Sequence, residues 1–322
     1  MSMRRVRFAA WPCRWAAALV AVLISACETP PVAPGPRAPV APAPTIGAHT
    51  RQIEVNGVRL TYSEQGNGVP VVLVHGSLSD LRIWEAQRLA IAQRYRYVAL
   101  TQRYFGTDRW SGSGRDFTQA AHAADLAVFI RSLNGGPVHL VGWSYGGLTA
   151  LLMAKEHPEL VRTLTLHEPG VRSLILDTAE GRQASAEFSR TLVPAAAAAR
   201  AGDALQAARL FHEAMFSLPP GGFESEPPAL QHIVLDNART MILALQAPPP
   251  PPLTCESLKA IRSPALVTMG ENARAQYRMI AEKTAACLGN ATLAIIPAAN
   301  HDAPIRNPGV FNATLLSFLH RN

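Results

Sequence analysis

The chain has 322 residues, 48% of them hydrophobic and 16% charged, enough apolar material for a sizeable core in one domain or two. The formal charge of +7 falls to +3 once Arg4, Arg5, Arg7 and Arg14 are set aside, and no acidic residue offsets those four before Glu28. The basic balance belongs largely to the first segment, which removes the basis for a nucleic-acid-binding role.

Residues 1–26 run from that basic start through an apolar stretch, Ala16 to Ile24, into small residues. This is the order of a secretory signal, and the stretch is too short for an ordinary membrane-spanning helix. It ends Leu23-Ile24-Ser25-Ala26-Cys27, which resembles a bacterial lipobox. The resemblance implies that Cys27 becomes the lipid-modified first residue of the mature chain and tethers it to a membrane. An ordinary signal cleaved nearby, or an uncleaved anchor, is the alternative. Glu28 stands where an aspartate is the common inner-membrane retention signal, so the expected location is the cell envelope, at the outer membrane. Residues 27–48 complete the tether: Thr29 to Pro44 is dense in proline and alanine and reads as an extended, semi-rigid spacer. The remaining domain is residues 49–322.

Asn56-Gly57 between two alternating runs is a hairpin signal. Val71 to Val74 is apolar throughout, as in a strand buried on both faces, and His75-Gly76-Ser77 follows it. Tyr95 to Leu100 reads as a strand, Asp116 to Leu133 as a helix, and Val138 to Gly142 as another buried strand. That strand runs into Gly142-Trp143-Ser144-Tyr145-Gly146-Gly147 and then a helical stretch from Leu148. G-x-S-x-G between strand and helix forces a tight turn that pushes the serine oxygen outward, the context of a nucleophile.

Here the chain resembles the α/β-hydrolase superfamily. The resemblance implies a mostly parallel central sheet flanked by helices. It also implies an oxyanion hole from the backbone N–H groups of Ser77 and Tyr145 and a general base in the loop before the last helix. His301, in Ala298-Ala299-Asn300-His301-Asp302 after the strand Ala291 to Pro297, fills that place. His75 is expected to shape the pocket with Trp143 rather than transfer protons. Many relatives carry Asp-x-Arg-Gly-x-Gly after the strand ending at Leu100. Here Thr101-Gln102-Arg103-Tyr104-Phe105-Gly106 lacks the acid, in a loop that supports its neighbours and does no chemistry.

The third triad member departs from the common pattern. Relatives often read Gly-x-x-Asp after the strand Ala265 to Gly270, but Gly270-Glu271-Asn272-Ala273 puts alanine there. Some members place the acid after the strand that follows the nucleophile helix, where Val161 to Leu166 leads into His167-Glu168-Pro169-Gly170. Glu168 is therefore the expected acid, with Glu271 the alternative.

Residues 170–262 are alanine-rich and helical, broken at Pro219-Pro220-Gly221-Gly222 and at Pro248 to Pro252. In this superfamily such an insertion caps the pocket, and Phe211 and Met215 are candidate lining residues. Cys255 and Cys287 stand on either side of a strand as a possible disulfide, two buried thiols being the alternative. No His or Cys spacing points to a metal, and no cofactor is required. The expectation is a serine hydrolase of esters or related small acyl compounds. Lactonase, perhydrolase or carbon–carbon hydrolase chemistry, or an inactive surface binding lipoprotein, are the alternatives, and the sequence leaves the oligomeric state open.

Overall fold

The computed structural model describes residues 50–110 and 113–322. The expected signal at 1–26, Cys27 and the spacer lie outside the described residues.

Asn56 and Gly57 take φ of 46° and 72°, the left-handed pair that a two-residue type I′ turn requires. They fold β1 (Thr50–Val55) antiparallel onto β2 (Val58–Gln65). The sheet continues with β3 (Pro70–Val74), β4 (Arg96–Leu100), β5 (Val138–Trp143), β6 (Val161–His167), β7 (Ala265–Gly270) and β8 (Ala291–Ile296). The eight strands lie in the order β1-β2-β4-β3-β5-β6-β7-β8. β2 meets β4 antiparallel, and every later pairing is parallel. Parallel strands covered on both faces need apolar residues throughout, and β3 and β5 are buried at every position. A Val or Leu side chain buried in this way stabilises the fold by about 1.5–3 kcal/mol.

The helices of the first half are α1 (Glu85–Ala92), α2 (Gln119–Ser132) and α3 (Tyr145–Glu156), of which α2 and α3 pack together. Thr118 starts α2 by accepting the Ala121 N–H. Between β6 and β7 the chain forms α4 (Ala179–Thr191), α5 (Val193–Arg200), α6 (Ala204–Phe216), α7 (Pro228–Asp236), α8 (Thr240–Gln246) and α9 (Cys255–Leu258). Thr178 and Asp203 cap α4 and α6 with side-chain oxygens. Ser217 ends α6 in the left-handed region, and the prolines after α8 stop the helical run. The inserted segment is thus all helical, as its composition indicated.

After β7 come α10 (Ala275–Cys287), α11 (Ala303–Arg306) and α12 (Pro308–Arg321), the last packed on α1. A disulfide joins Cys255 at the start of α9 to Cys287 at the end of α10, with Cα atoms 4.8 Å apart. The sequence left this pairing open against two buried thiols. Among the described residues no helix is long and apolar enough to cross a membrane.

Candidate active site

Ser144 sits between β5 and α3 with φ 53° and ψ −114°, a conformation that costs about 1–3 kcal/mol for a residue with a side chain. Its backbone is tied on several sides. Its N–H donates to His167 O at 3.0 Å, and its carbonyl accepts from Gly170 N at 2.9 Å and Gly147 N at 3.0 Å. The neighbouring glycines are required by space. A Cβ at Gly146 would stand 2.4 Å from the carbonyl oxygens of Val74 and His75, and one at Gly142 would meet Gly146 O at 2.7 Å. The bend therefore exists only because β3, β5 and α3 touch backbone to backbone.

His301 lies in the loop between β8 and α11 and is 3% exposed. Its Nδ1 is 2.7 Å from Glu168 Oε2. A carboxylate only accepts, so Nδ1 carries the proton and Nε2 keeps its lone pair. Glu168 is fully buried just beyond β6, at φ 39°, and its other oxygen accepts the Gly270 N–H at 2.8 Å. Burial pushes its carboxyl pKa up. The hydrogen bond and charge of His301, with the Gly270 N–H, more than offset that and hold it below the usual range. Glu271 does something else: its exposed carboxylate accepts the Ala298 N–H at 2.9 Å and supports the loop leading to His301. Ala273 is buried, with its N–H donated to Gly270 O at 3.1 Å.

A narrow cavity, about 20 Å³ to a water-sized sphere, is lined by Ser77, Leu78, Trp143, Ser144, Phe211, His212, Met215, Phe216 and His301. That volume is room for about one water. The expected lining residues Trp143, Phe211 and Met215 are all there. Ser144 and His301 line the same space with no hydrogen bond between them among the described residues. Such bonds are often long in unliganded hydrolytic sites and tighten when substrate binds. Ser77 lines the same cavity as Ser144 and Tyr145 follows Ser144 in the chain, and neither backbone N–H donates to a protein acceptor among the described residues. Tyr145 is the first residue of α3, so its N–H belongs to the positive end of a helix.

His75 corrects one expectation. It is fully buried and does not line the cavity. Its Nε2 accepts the Gln102 N–H at 3.1 Å, so its Nδ1 is the donor to Gly76 O at 2.8 Å. Burial holds its pKa down at about 4, so the ring is neutral and acts as a brace for the loop carrying Ser77.

Four contacts were not read from the sequence. Gln102, next to Thr101 where relatives carry the loop acid, donates its amide to His75 O at 3.0 Å. Arg103 grips the buried Asp125 from α2, with Nη2 2.7 Å from Oδ1. His212 on α6 points Nε2 at the buried Glu226, 3.4 Å away, which pairs in turn with Arg306 on α11. Tyr277 on α10 stacks on His301. Gln102 and Arg103 lie in the altered loop motif, which gives them a local signal; their partners and the other two contacts depend on which elements meet in space. Among the described residues no group of three or more His, Cys, Asp and Glu side chains could hold a metal ion.

The sheet order and the strand–bend–helix at Ser144 define an α/β-hydrolase fold. The chain belongs to the alpha/beta hydrolase family, whose model matches residues 71–314, and it is a hydrolase. It is 23% identical over 276 residues to the 2-(acetamidomethylene)succinate hydrolase of Mesorhizobium japonicum, covering 84% of this chain and 95% of that one. Among solved structures it resembles a thermophilic esterase from Thermogutta terrifontis, with a TM-score of 0.65 and 23% identity over 85% of this chain and 99% of that one. An enol-lactonase from Burkholderia xenovorans gives a TM-score of 0.66 and 20% identity, over 84% of this chain and all (100%) of the other.

Proposed function

We propose that the protein is a serine hydrolase of carboxylic esters, with Ser144 as nucleophile, His301 as general base and Glu168 as the acid that orients it. The observation that carries this reading is the 2.7 Å bond from His301 Nδ1 to a buried carboxylate, at a cavity that also holds Ser144. That bond leaves Nε2 able to take the serine proton while Oγ bonds to the substrate carbonyl carbon. The oxyanion then meets the N–H groups of Ser77 and Tyr145, one such donor being worth about 3 kcal/mol. His301 returns the proton to the leaving alkoxide, an acyl-enzyme remains, and water hydrolyses it by the same steps. Glu168 stays ionised throughout and stabilises the imidazolium.

The second reading is lactone opening, favoured by the likeness to an enol-lactonase; it differs only in that the leaving oxygen stays attached to the acyl group. A panel of p-nitrophenyl esters and small lactones, run on the full chain in detergent, separates the two. Turnover of esters supports the first reading, turnover confined to lactones supports the second, and neither occurs in an inactive binding scaffold. The lipobox supports a further part of the proposal: Cys27 anchors the enzyme in the cell envelope. Labelled palmitate should enter the wild-type chain in a bacterial host and fail to enter Cys27→Ser.

A further inference from the structure

Among the described residues the His301 imidazole makes one hydrogen bond, and that bond alone does not fix its ring. The Nδ1–Glu168 contact sets one ring atom, while rotation about the imidazole's sp³–sp² torsion is soft. The restraint comes from Tyr277. The two rings lie face to face, centroids 4.2 Å apart and planes 16° from parallel. The other aromatic neighbours of His301 stand farther off and more tilted: Trp143 at 5.8 Å and 49°, Phe216 at 6.1 Å and 33°, His167 at 6.4 Å and 27°.

Tyr277 is itself fixed. It is 4% exposed, and its ring meets the edge of Phe188 on α4 at 5.3 Å. Among the described residues its hydroxyl reaches only the Met215 sulfur on α6, at 3.5 Å, a weak acceptor. Burial pushes the phenol pKa up, so Tyr277 brings no charge near Glu168. What the site receives from Tyr277 is therefore its π face rather than its oxygen. An aromatic face attracts a cation placed above it, most strongly where water is excluded.

We infer that Tyr277 is the positioning residue for His301: its ring fixes the imidazole plane and stabilises the imidazolium formed when the Ser144 proton is taken. This rests on the proposed role of His301 as base. In that step the proton leaves Ser144 Oγ for His301 Nε2 as the Oγ–carbon bond forms. The new positive charge lies between the Glu168 carboxylate at the ring edge and Tyr277 at the ring face.

The test uses the full chain and the variants Tyr277→Leu and Tyr277→Phe, with Tyr277→Met in place of the first should it not fold. Two readouts are taken: steady-state ester hydrolysis and NMR of labelled histidine rings. The stack predicts His301 ring protons shifted upfield in wild type and Y277F and released in Y277L. Y277L should lose about tenfold or more in kcat, which is about 1.4 kcal/mol of barrier, with KM changed less than about threefold. Y277F should keep kcat within about threefold of wild type. Unchanged kcat in Y277L overturns the role, as does an equal loss in Y277F, and so does a loss confined to KM, which marks simple pocket packing. A wild-type chain that neither turns over ester nor reacts at Ser144 overturns the role together with the proposed function, whereas full turnover in Y277L overturns the role alone.

Discussion

The residue-level question is which carboxylate serves His301. Glu168 and Glu271 are both glutamates just beyond neighbouring strands, and both point into loops that converge near the imidazole. Only Glu168 reaches it; Glu271 holds the Ala298 N–H instead. Replacing the orienting acid of such a triad by its amide lets the histidine take the wrong tautomer, at a cost of about 10⁴-fold in turnover. Glu168→Gln is therefore predicted to lower kcat by about 10³–10⁴-fold, and Glu271→Gln to leave it within about threefold, as read from initial rates on p-nitrophenyl acetate. The reverse ranking would move the role to Glu271. Much of this scale was legible in the sequence. Ser144 and His301 stand out because their signals are local: a glycine-flanked serine between strand and helix, and a histidine before the last helix. The acid was not decidable locally, because it depends on which strand end lies beside which loop. His75 was expected to brace its loop and shape the site; it does brace the loop, but behind the cavity rather than lining it, since only the fold brings Gln102 against its ring.

At the scale of elements, the strands and helices were readable because their causes are short-range: apolar runs for β3, β5 and β7, Asn56-Gly57 for the hairpin, prolines for the ends of α6 and α8. The joints between elements were not. Arg103 with Asp125, and His212 with Glu226 and Arg306, are joined by contacts between residues 14 to 80 positions apart, and no pattern within either segment announces the partner. The disulfide is such a joint with a measurable weight. It ties α9 to the far end of α10, the helix that carries Tyr277, across a sequence separation of 32. Closing a loop of that length in the unfolded chain stabilises the folded state by about 3–4 kcal/mol in the chain-entropy model. The double variant Cys255→Ser/Cys287→Ser should lose about 2–4 kcal/mol in urea unfolding, and the wild type should lose a similar amount on reduction. No change in either would mean that the helices are held by packing alone.

The whole molecule should answer acid in a way set by its buried histidines. Burial lowers the pKa of His75, His139 and His167 to about 4 and of His122 to about 3, from an ordinary 6.5. Each is neutral in the fold and takes a proton first in the unfolded chain. The stability they contribute is fully present above pH 6.5 and is lost as the pH falls towards their folded values. Unfolding below pH 6.5 should be coupled to the uptake of up to these four protons, each worth about 1.4 kcal/mol per pH unit. Glu168 acts in the same direction at lower pH: its depressed pKa gives stability above about 4.5 that disappears on further acidification. Thermal unfolding followed from pH 7.5 to 4.5 should show Tm falling steadily below about pH 6.5, and a flat Tm down to pH 5 would mean that these rings are not buried neutral.

All of this turns on Ser144 being a nucleophile that His301 can activate. The most direct measurement treats the folded chain with a fluorophosphonate and maps the adduct by mass spectrometry of its peptides. One adduct per chain on Ser144, formed far more slowly in His301→Ala, is the predicted result. A folded chain that takes up no adduct, or takes it up at another residue, would contradict the account.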